Sequence, residues 1–290
     1  MAALAYHAPE SLKEAVDLLG ANPTARILAG GTDLIVQMRS GRIAPGAIVD
    51  LKRIAGMTGV RELPGGGFAI GAATPCTALL DHAGLAASWP GVVEAANLIG
   101  SVQVRNRATM AGNLCNASPA ADSVPALIAA GATVLVIGPA GEREVRAEAI
   151  AASPGRTTLA PGEVVAEIRL PARPAGGGDA YLRLIPRTEM DIAVVGAGAA
   201  LVIGPDGTCT AARVSLGAVA ATALLVEAAG AALVGTKLDA AALDAMAAAA
   251  CAAAKPIDDK RGSAAYRVQM AGVLAKRAVL IAADRAGEKA

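Results

Sequence analysis

An α+β fold in two parts is the expectation for this chain, and three features carry it. Residues 1–58 alternate helix and strand patterns around a glycine pair, as a small α/β unit does. Residues 59–175 hold hairpin signals and longer apolar runs, so a second α/β subdomain is expected there. Beyond residue 180, two alternating strands joined by a tight turn precede three helical patterns, which read as an antiparallel sheet with helices. The expected division is 1–175, split into 1–58 and 59–175, followed by 180–290.

The elements follow in order. Ser11 with Glu14 is a capping box, and Leu12, Ala15, Val16 and Leu19 form one apolar helical face ending at Gly20. Residues 25–28 read as a short buried strand, with a Gly-containing turn at 29–31. An apolar helix then runs from Leu34 to near Gly41, and residues 47–51 form a further strand. VREL and FAIG flank Pro64–Gly67 as a hairpin. Thr74 and Pro75 supply the N-cap and first position of a short helix. Residues 91–99 read as helical, and 100–113 with the turn formers beyond as a loop. A helix follows Pro119 through Ile128, with strands at 132–137, 142–146 and 164–170. PARPAGGGD at 171–179 has linker composition. Strands at 191–203 and 211–219 join across GPDG at 204–207. Helices are expected at Ala220–Ala229, Asp239–Ala254 and Ser263–Ala283.

Composition narrows the function. Lys plus Arg total 26 and Asp plus Glu 25, a net charge of +1, and aromatics are 2%. That balance leaves no electrostatic footprint for nucleic acid. With 54% hydrophobic and 18% charged residues the chain is not of disordered type, and it has surface to hide against partners. Cys76, Cys115, Cys209 and Cys251 are scattered without iron–sulfur or zinc spacing, as thiols of a reducing compartment are. The start lacks a basic region followed by an apolar one, and no apolar stretch is long enough for a membrane span, so a cytoplasmic location is expected. The two histidines, His7 and His82, are far apart and outside any hydrolase motif. If the protein belongs to an enzyme, a cofactor carries the chemistry.

Two glycine-bearing segments are candidates for holding one. Leu28-Ala29-Gly30-Gly31-Thr32-Asp33-Leu34 lies between a strand and a helix, where successive N–H groups make an anion nest. The pattern is neither a Rossmann nor a P-loop fingerprint, and a plain turn has the same composition. Thr109-Met110-Ala111-Gly112-Asn113, followed by Asn116, Ser118 and Asp122, gathers hydroxyls, amides and a carboxylate within fourteen residues.

Five ordered patterns give the chain a family resemblance. They are AGGTD at 29–33, TMAGN at 109–113 with NASPAAD at 116–122, GRT–L–PGEVV across 155–165, RTEMDIAVVGAGA at 187–199 and RGSAAYR at 261–267. Together they resemble the separate FAD-binding medium subunit of the molybdenum hydroxylases, the xanthine dehydrogenase and carbon monoxide dehydrogenase family. The resemblance implies a PCMH-type FAD-binding domain of two subdomains and a C-terminal domain particular to the family. It places Ile27, Leu28, Ala29, Gly30, Gly31, Thr32, Asp33 and Leu34 around the FAD diphosphate, the two glycines closest. Thr109, Gly112 and Asn113 form the second loop, and Asp122 accepts from the ribityl or adenosine side. Ile99 and Val165 touch the rings, and Arg183 brings positive charge near them. Arg187, Asp191 and Arg261–Arg267 are implied to hold the C-terminal domain. No metal ligand and no acid–base residue in this chain is implied.

The role implied is electron transfer. A small partner subunit with two [2Fe–2S] clusters passes electrons to FAD here, and a large partner carries the molybdenum–pterin centre. The acceptor is NAD, oxygen or a quinone-like compound, and the assembly a dimer of heterotrimers. Two alternatives stay open from sequence. A self-contained flavin oxidoreductase would need an acid or base at the flavin, for which Tyr181 and Asp191 are the candidates. A scaffold that has lost FAD is suggested by Ala111, where the family usually has glycine.

Overall fold

The computed structural model describes residues 4–287; Met1–Ala3 and Glu288–Ala290, which the expected domain ends include, lie outside the described residues. The chain opens with β1 (Ala5–His7), α1 (Leu12–Ala21), β2 (Arg26–Leu28), α2 (Leu34–Arg39) and β3 (Ala47–Asp50). β1 and β2 both run parallel to β3, in the order β1-β3-β2. Ser11 Oγ accepts from Glu14 N at 3.2 Å, and Glu14 reaches back to Glu10 N, so the expected capping box forms one residue early on its return arm. The glycine pair follows the carboxyl end of β2, where parallel α/β units bind ligands.

Next come β4 (Val60–Glu62), β5 (Phe68–Gly71), α3 (Cys76–Leu80), α4 (Ala83–Ser88), α5 (Pro90–Asn97), α6 (Val102–Arg105), α7 (Met110–Cys115) and α8 (Ser123–Ala129). After them run β6 (Thr133–Gly138), β7 (Gly141–Arg146), β8 (Ala151–Ser153), β9 (Arg156–Thr157) and β10 (Val164–Leu170). A five-stranded sheet forms in the order β4-β5-β10-β6-β7, antiparallel at every pair. Its register slips at Val165/Glu167, a bulge that sets where Val165 points.

Two expectations fail in this stretch. Thr74 does not cap α3: its hydroxyl donates to Gly59 O at 3.0 Å, and Pro75 occupies the cap position. Residues 100–122 are not one loop, because Ser101 and Thr109 each cap a short helix there. Turn formers at a helix N-cap look like loop residues in sequence.

The last unit holds β11 (Gly177–Leu184), β12 (Val195–Ile203), β13 (Cys209–Gly217), β14 (Leu224–Leu225), α9 (Glu227–Ala231), α10 (Ala240–Ala253) and α11 (Ala264–Gly287). The strands form one antiparallel sheet in chain order. The linker expected at 171–179 is shorter than its composition suggests, since Gly177, Gly178 and Asp179 already belong to β11. A Cβ on Gly178 would collide with the carbonyl oxygen of Ala282 in α11. Glycine there lets helix and strand backbones touch, so it is a packing residue. The helix expected at Ala220–Ala229 starts only at Glu227, as α9; before it Leu224 and Leu225 pair with β13.

α11 lies on this sheet through Ala271, Ala275, Ala278 and Ala282, all fully buried. Alanine at each contact brings the elements close, and that explains how a chain with 2% aromatics still fills its core. On the sheet's other side lies α8, every residue of which is buried. Ser215 Oγ donates to Pro125 O at 2.6 Å and Arg213 to Ile128 O at 2.8 Å, so α8 is fastened to β13. Arg267, 3% exposed, donates to Val194 O at 2.7 Å and pairs with Asp259 at 2.6 Å, holding the turn that enters β12. The motifs at 187–199 and 261–267 thus meet.

Candidate functional site

A cavity of about 560 Å³ opens between the α/β unit and the five-stranded sheet. That lies inside the range of roughly 300–1,000 Å³ usual for cofactor pockets. One wall is the 29–34 turn with α2, a second is α7, and a third is the β8–β9 hairpin with residues 159–163.

The turn is shaped by its two glycines. A Cβ on Gly30 would run into the carbonyl of Arg107, so this glycine brings the first turn onto the chain entering α7. It thereby joins the two glycine-bearing segments, and it also lines the cavity. Gly31 has φ 79°, which turns the chain into α2. Among the described residues no protein acceptor takes the N–H groups of Gly30, Gly31, Thr32 or Asp33. Across the cavity Thr109 Oγ1 accepts from Gly112 N at 2.9 Å and caps α7. Asn113 Oδ1 accepts from Ser123 Oγ at 2.7 Å and from Ser123 N, which ties α7 to α8.

Of the residues expected to hold a cofactor, Ile27, Ala29, Gly30, Gly31, Thr32, Asp33, Leu34, Ile99, Thr109, Gly112, Asn113 and Val165 line this cavity. Leu28, Asp122 and Arg183 stand outside its wall. Arg183 Nη1 donates to Asp122 Oδ2 at 2.9 Å and to Leu98 O at 2.8 Å, so the pair is spent on itself and on the carbonyl preceding Ile99. Asp122 Oδ1 is buried without a hydrogen bond. Burial pushes this carboxyl up to about 6, against the pull of Arg183.

Charges in the wall are few. Arg26 and Asp33 line it, and partial burial raises the Asp33 carboxyl. Glu163 also lines it, but Arg143 grips both its oxygens at 2.7 Å, and those bonds hold its carboxyl low. Cys115 stays a thiol, pushed up to about 12 by burial. The two candidate acid–base groups stand elsewhere. Tyr181 is buried, and that burial holds its hydroxyl well above the usual range. Asp191 is bound by Arg187 at 3.1 Å and Arg261 at 3.3 Å, and the Arg187 bond leads in holding its carboxyl low.

Comparison with known proteins bears on the whole chain. Residues 2–173 match the family described as FAD binding domain in molybdopterin dehydrogenase. This chain belongs to that family. Residues 180–282 match the CO dehydrogenase flavoprotein C-terminal domain. The carbon monoxide dehydrogenase medium chain of Afipia carboxidovorans is 40% identical over 282 residues, 97% of each chain. The solved reconstituted CO dehydrogenase from Oligotropha carboxidovorans superposes with a TM-score of 0.93 at 39% identity, covering 98% of both chains. Quinoline 2-oxidoreductase from Pseudomonas putida 86 gives 0.90 at 30% identity, covering 99% of both. The fold is thus the PCMH-type FAD-binding fold, with a C-terminal antiparallel sheet and helices.

As a molybdopterin-dehydrogenase FAD-binding domain, the chain has wall residues that sequence reasoning passed over. Gln37 lies one helical turn beyond Asp33 and shares its face of α2. Cys115 ends α7 and Asn116 caps it, in a stretch that looked like loop. Gly155, Thr157 and Leu159–Glu163 belong to the GRT–L–PGEVV pattern, from which only Val165 had been singled out. Among the described residues no helix is long and apolar enough to cross a membrane.

Proposed function

We propose that this chain carries FAD in the cavity described above as the electron-transfer subunit of a molybdenum hydroxylase. The observation that carries the reading is the run of four backbone N–H groups at 30–33, without a protein acceptor among the described residues and set in the wall of a cofactor-sized cavity. Such donors suit a diphosphate, and the apolar side chains of Ile27, Ile99 and Val165 suit rings. The residues present therefore fit the group.

In this reading the 30–33 amides bind the diphosphate, and the capped start of α7 faces it from the other segment. Asp122 and Arg183 are positioning residues: through Leu98 O they fix Ile99, which lines the cavity. FAD, when bound, supplies the change between single-electron and two-electron transfer. No side chain in the wall is arranged as an acid–base pair, so the chain's part is to bind, orient and shield. The division into 1–175 and 180–290 belongs to the same reading, as do a small two-[2Fe–2S] partner, a large molybdenum–pterin partner and a dimer of heterotrimers. The acceptor is external: NAD, oxygen or a quinone-like compound.

A visible spectrum of the purified chain, before and after dithionite, tests the core of this. Flavin bands that bleach on reduction are expected, and co-purification with the two partner subunits then tests the assembly. A colourless chain that stays colourless after incubation with FAD overturns the reading.

A further inference from the structure

Gln37 and Asn116 hold each other in the cavity wall, Gln37 Nε2 donating to Asn116 Oδ1 at 2.9 Å. Gln37 comes from the last turns of α2, and Asn116 caps the C-terminus of α7. Among the described residues neither carboxamide has a second protein partner. A primary amide offers two donor hydrogens and a carbonyl acceptor. One shared bond therefore leaves a free carbonyl on one residue beside a free NH₂ on the other. Exchanging oxygen and nitrogen in both amides leaves the same two groups.

The pair is also held in place. Ala117, the next residue, has φ 49°, a left-handed conformation that a Cβ resists. Its carbonyl accepts from Gly155 N at 3.0 Å, which docks the β8–β9 hairpin against the same turn. Strain kept at one residue beside a cavity is a mark of a positioned functional group.

We propose that the Gln37–Asn116 pair reads the edge of a planar heterocycle that presents a donor next to an acceptor. Both ends of FAD carry such an edge, the flavin imide and the aminated adenine ring. The proposal rests on the FAD reading above and adds that these two side chains select the ring at one end of the dinucleotide.

The full-length chain, freed of flavin, is titrated with FAD while flavin fluorescence is followed. Gln37→Met keeps the length of the side chain without its amide. Asn116→Asp keeps the acceptor for Gln37 and replaces the free NH₂ by a carboxylate oxygen, whose charge the salt dependence controls for. Each is expected to raise the Kd roughly five- to tenfold, the worth of a lost hydrogen bond. The loss persists at high salt, and the thermal midpoint of the apo Asn116→Asp chain, which keeps the shared bond, is unmoved. Competition by ADP and by FMN assigns the ring, because the variants weaken only the competitor carrying the edge that is read.

Variants that bind FAD within about twofold of the parent overturn the proposal while the FAD reading stands. So does a loss confined to Asn116→Asp that vanishes in salt. Equal weakening of ADP and FMN marks a structural role and also overturns it. A parent chain that takes up no FAD overturns both readings. Should Gln37→Met fail to fold, Asn116→Asp with its salt control decides.

Discussion

The cavity half and the C-terminal half pack their cores with elements of opposite length. Around the cavity, α2 and α7 have six residues each, and α6, which leads into α7, has four. In the C-terminal half β12 and β13 have nine residues each and α11 has 24. Every helix start leaves N–H groups without an internal acceptor. A region made of many short helices therefore has more free donors for its length than one built on long strands and a 24-residue helix. The difference teaches where a ligand can complete the fold: in the first half the four free N–H groups at 30–33 stand together in the wall of a cavity.

The largest expected effects come from two glycines of equal tightness on opposite sides of that contrast. A Cβ on Gly30 meets the Arg107 carbonyl, and one on Gly178 meets the Ala282 carbonyl. Gly30→Ala and Gly178→Ala should each destabilise by about 3 kcal/mol, because the obstacle is backbone and cannot rotate away. They should differ in ligand binding. Gly30→Ala pushes the two cavity segments apart, and folded protein retains little FAD. Gly178→Ala lifts α11 from β11, and the fraction that folds keeps its full flavin content. Thermal midpoints with flavin-to-protein ratios check this, and equal flavin loss in both variants would break the contrast.

A smaller effect concerns pH, at a carboxyl on the seam between the halves. Asp179 in β11 is 2% exposed; its Oδ2 accepts from Val92 N at 3.2 Å, and Arg173 stands 3.6 Å from Oδ1. Burial raises this carboxyl to about 6, opposed by Arg173 and Arg285 and reinforced by Glu94. The folded state then keeps a proton that the unfolded chain has lost, so stability falls as pH rises from about 4 to about 6. The loss is on the order of 2 kcal/mol and levels off above that window. Asp122, also raised to about 6, adds a slope of the same sign. Asp179→Asn should remove about half of the combined slope in chemical denaturation measured across that pH range. An unchanged slope would show that the seam stays ionised and that its arginines outweigh burial.

How much of this was legible follows the same division of lengths. The hairpin across GPDG, the C-terminal helices from 239 and 263, and the strand at 164–170 announce themselves by sustained periodicity. α6 and α7 do not, because four to six residues are too few for a helical period, and their caps Ser101 and Thr109 are also turn formers. β11 was hidden because Gly177 and Gly178 read as linker; what makes them strand is the backbone of α11, far away in sequence. In the site, the AGGTD turn was visible as a nest. That Gly30 faces Arg107 could not be seen, nor that Arg183 spends itself on Asp122, since both are contacts across long separations. Gln37 was within reach, one turn from Asp33 on a short helix whose exposed side has Ile35 and Val36.

The smallest effect is the sharpest test of which helix ends matter. Thr109 is 3% exposed and caps α7 through Gly112 N. Removing a cap of this kind costs about 1 kcal/mol. In a six-residue helix that cost falls on the whole element, since one and a half turns offer few other bonds to hold it. Thr109→Ala should therefore lower the thermal midpoint modestly and weaken FAD binding a few-fold, as the start of α7 frays at the cavity wall. Thr109→Ser keeps the hydroxyl and should restore both. A lowered midpoint with unchanged FAD affinity would show that α7 is only a wall. The free donors of the 30–33 turn would then hold the diphosphate alone, and the contrast between the halves would narrow to four amides.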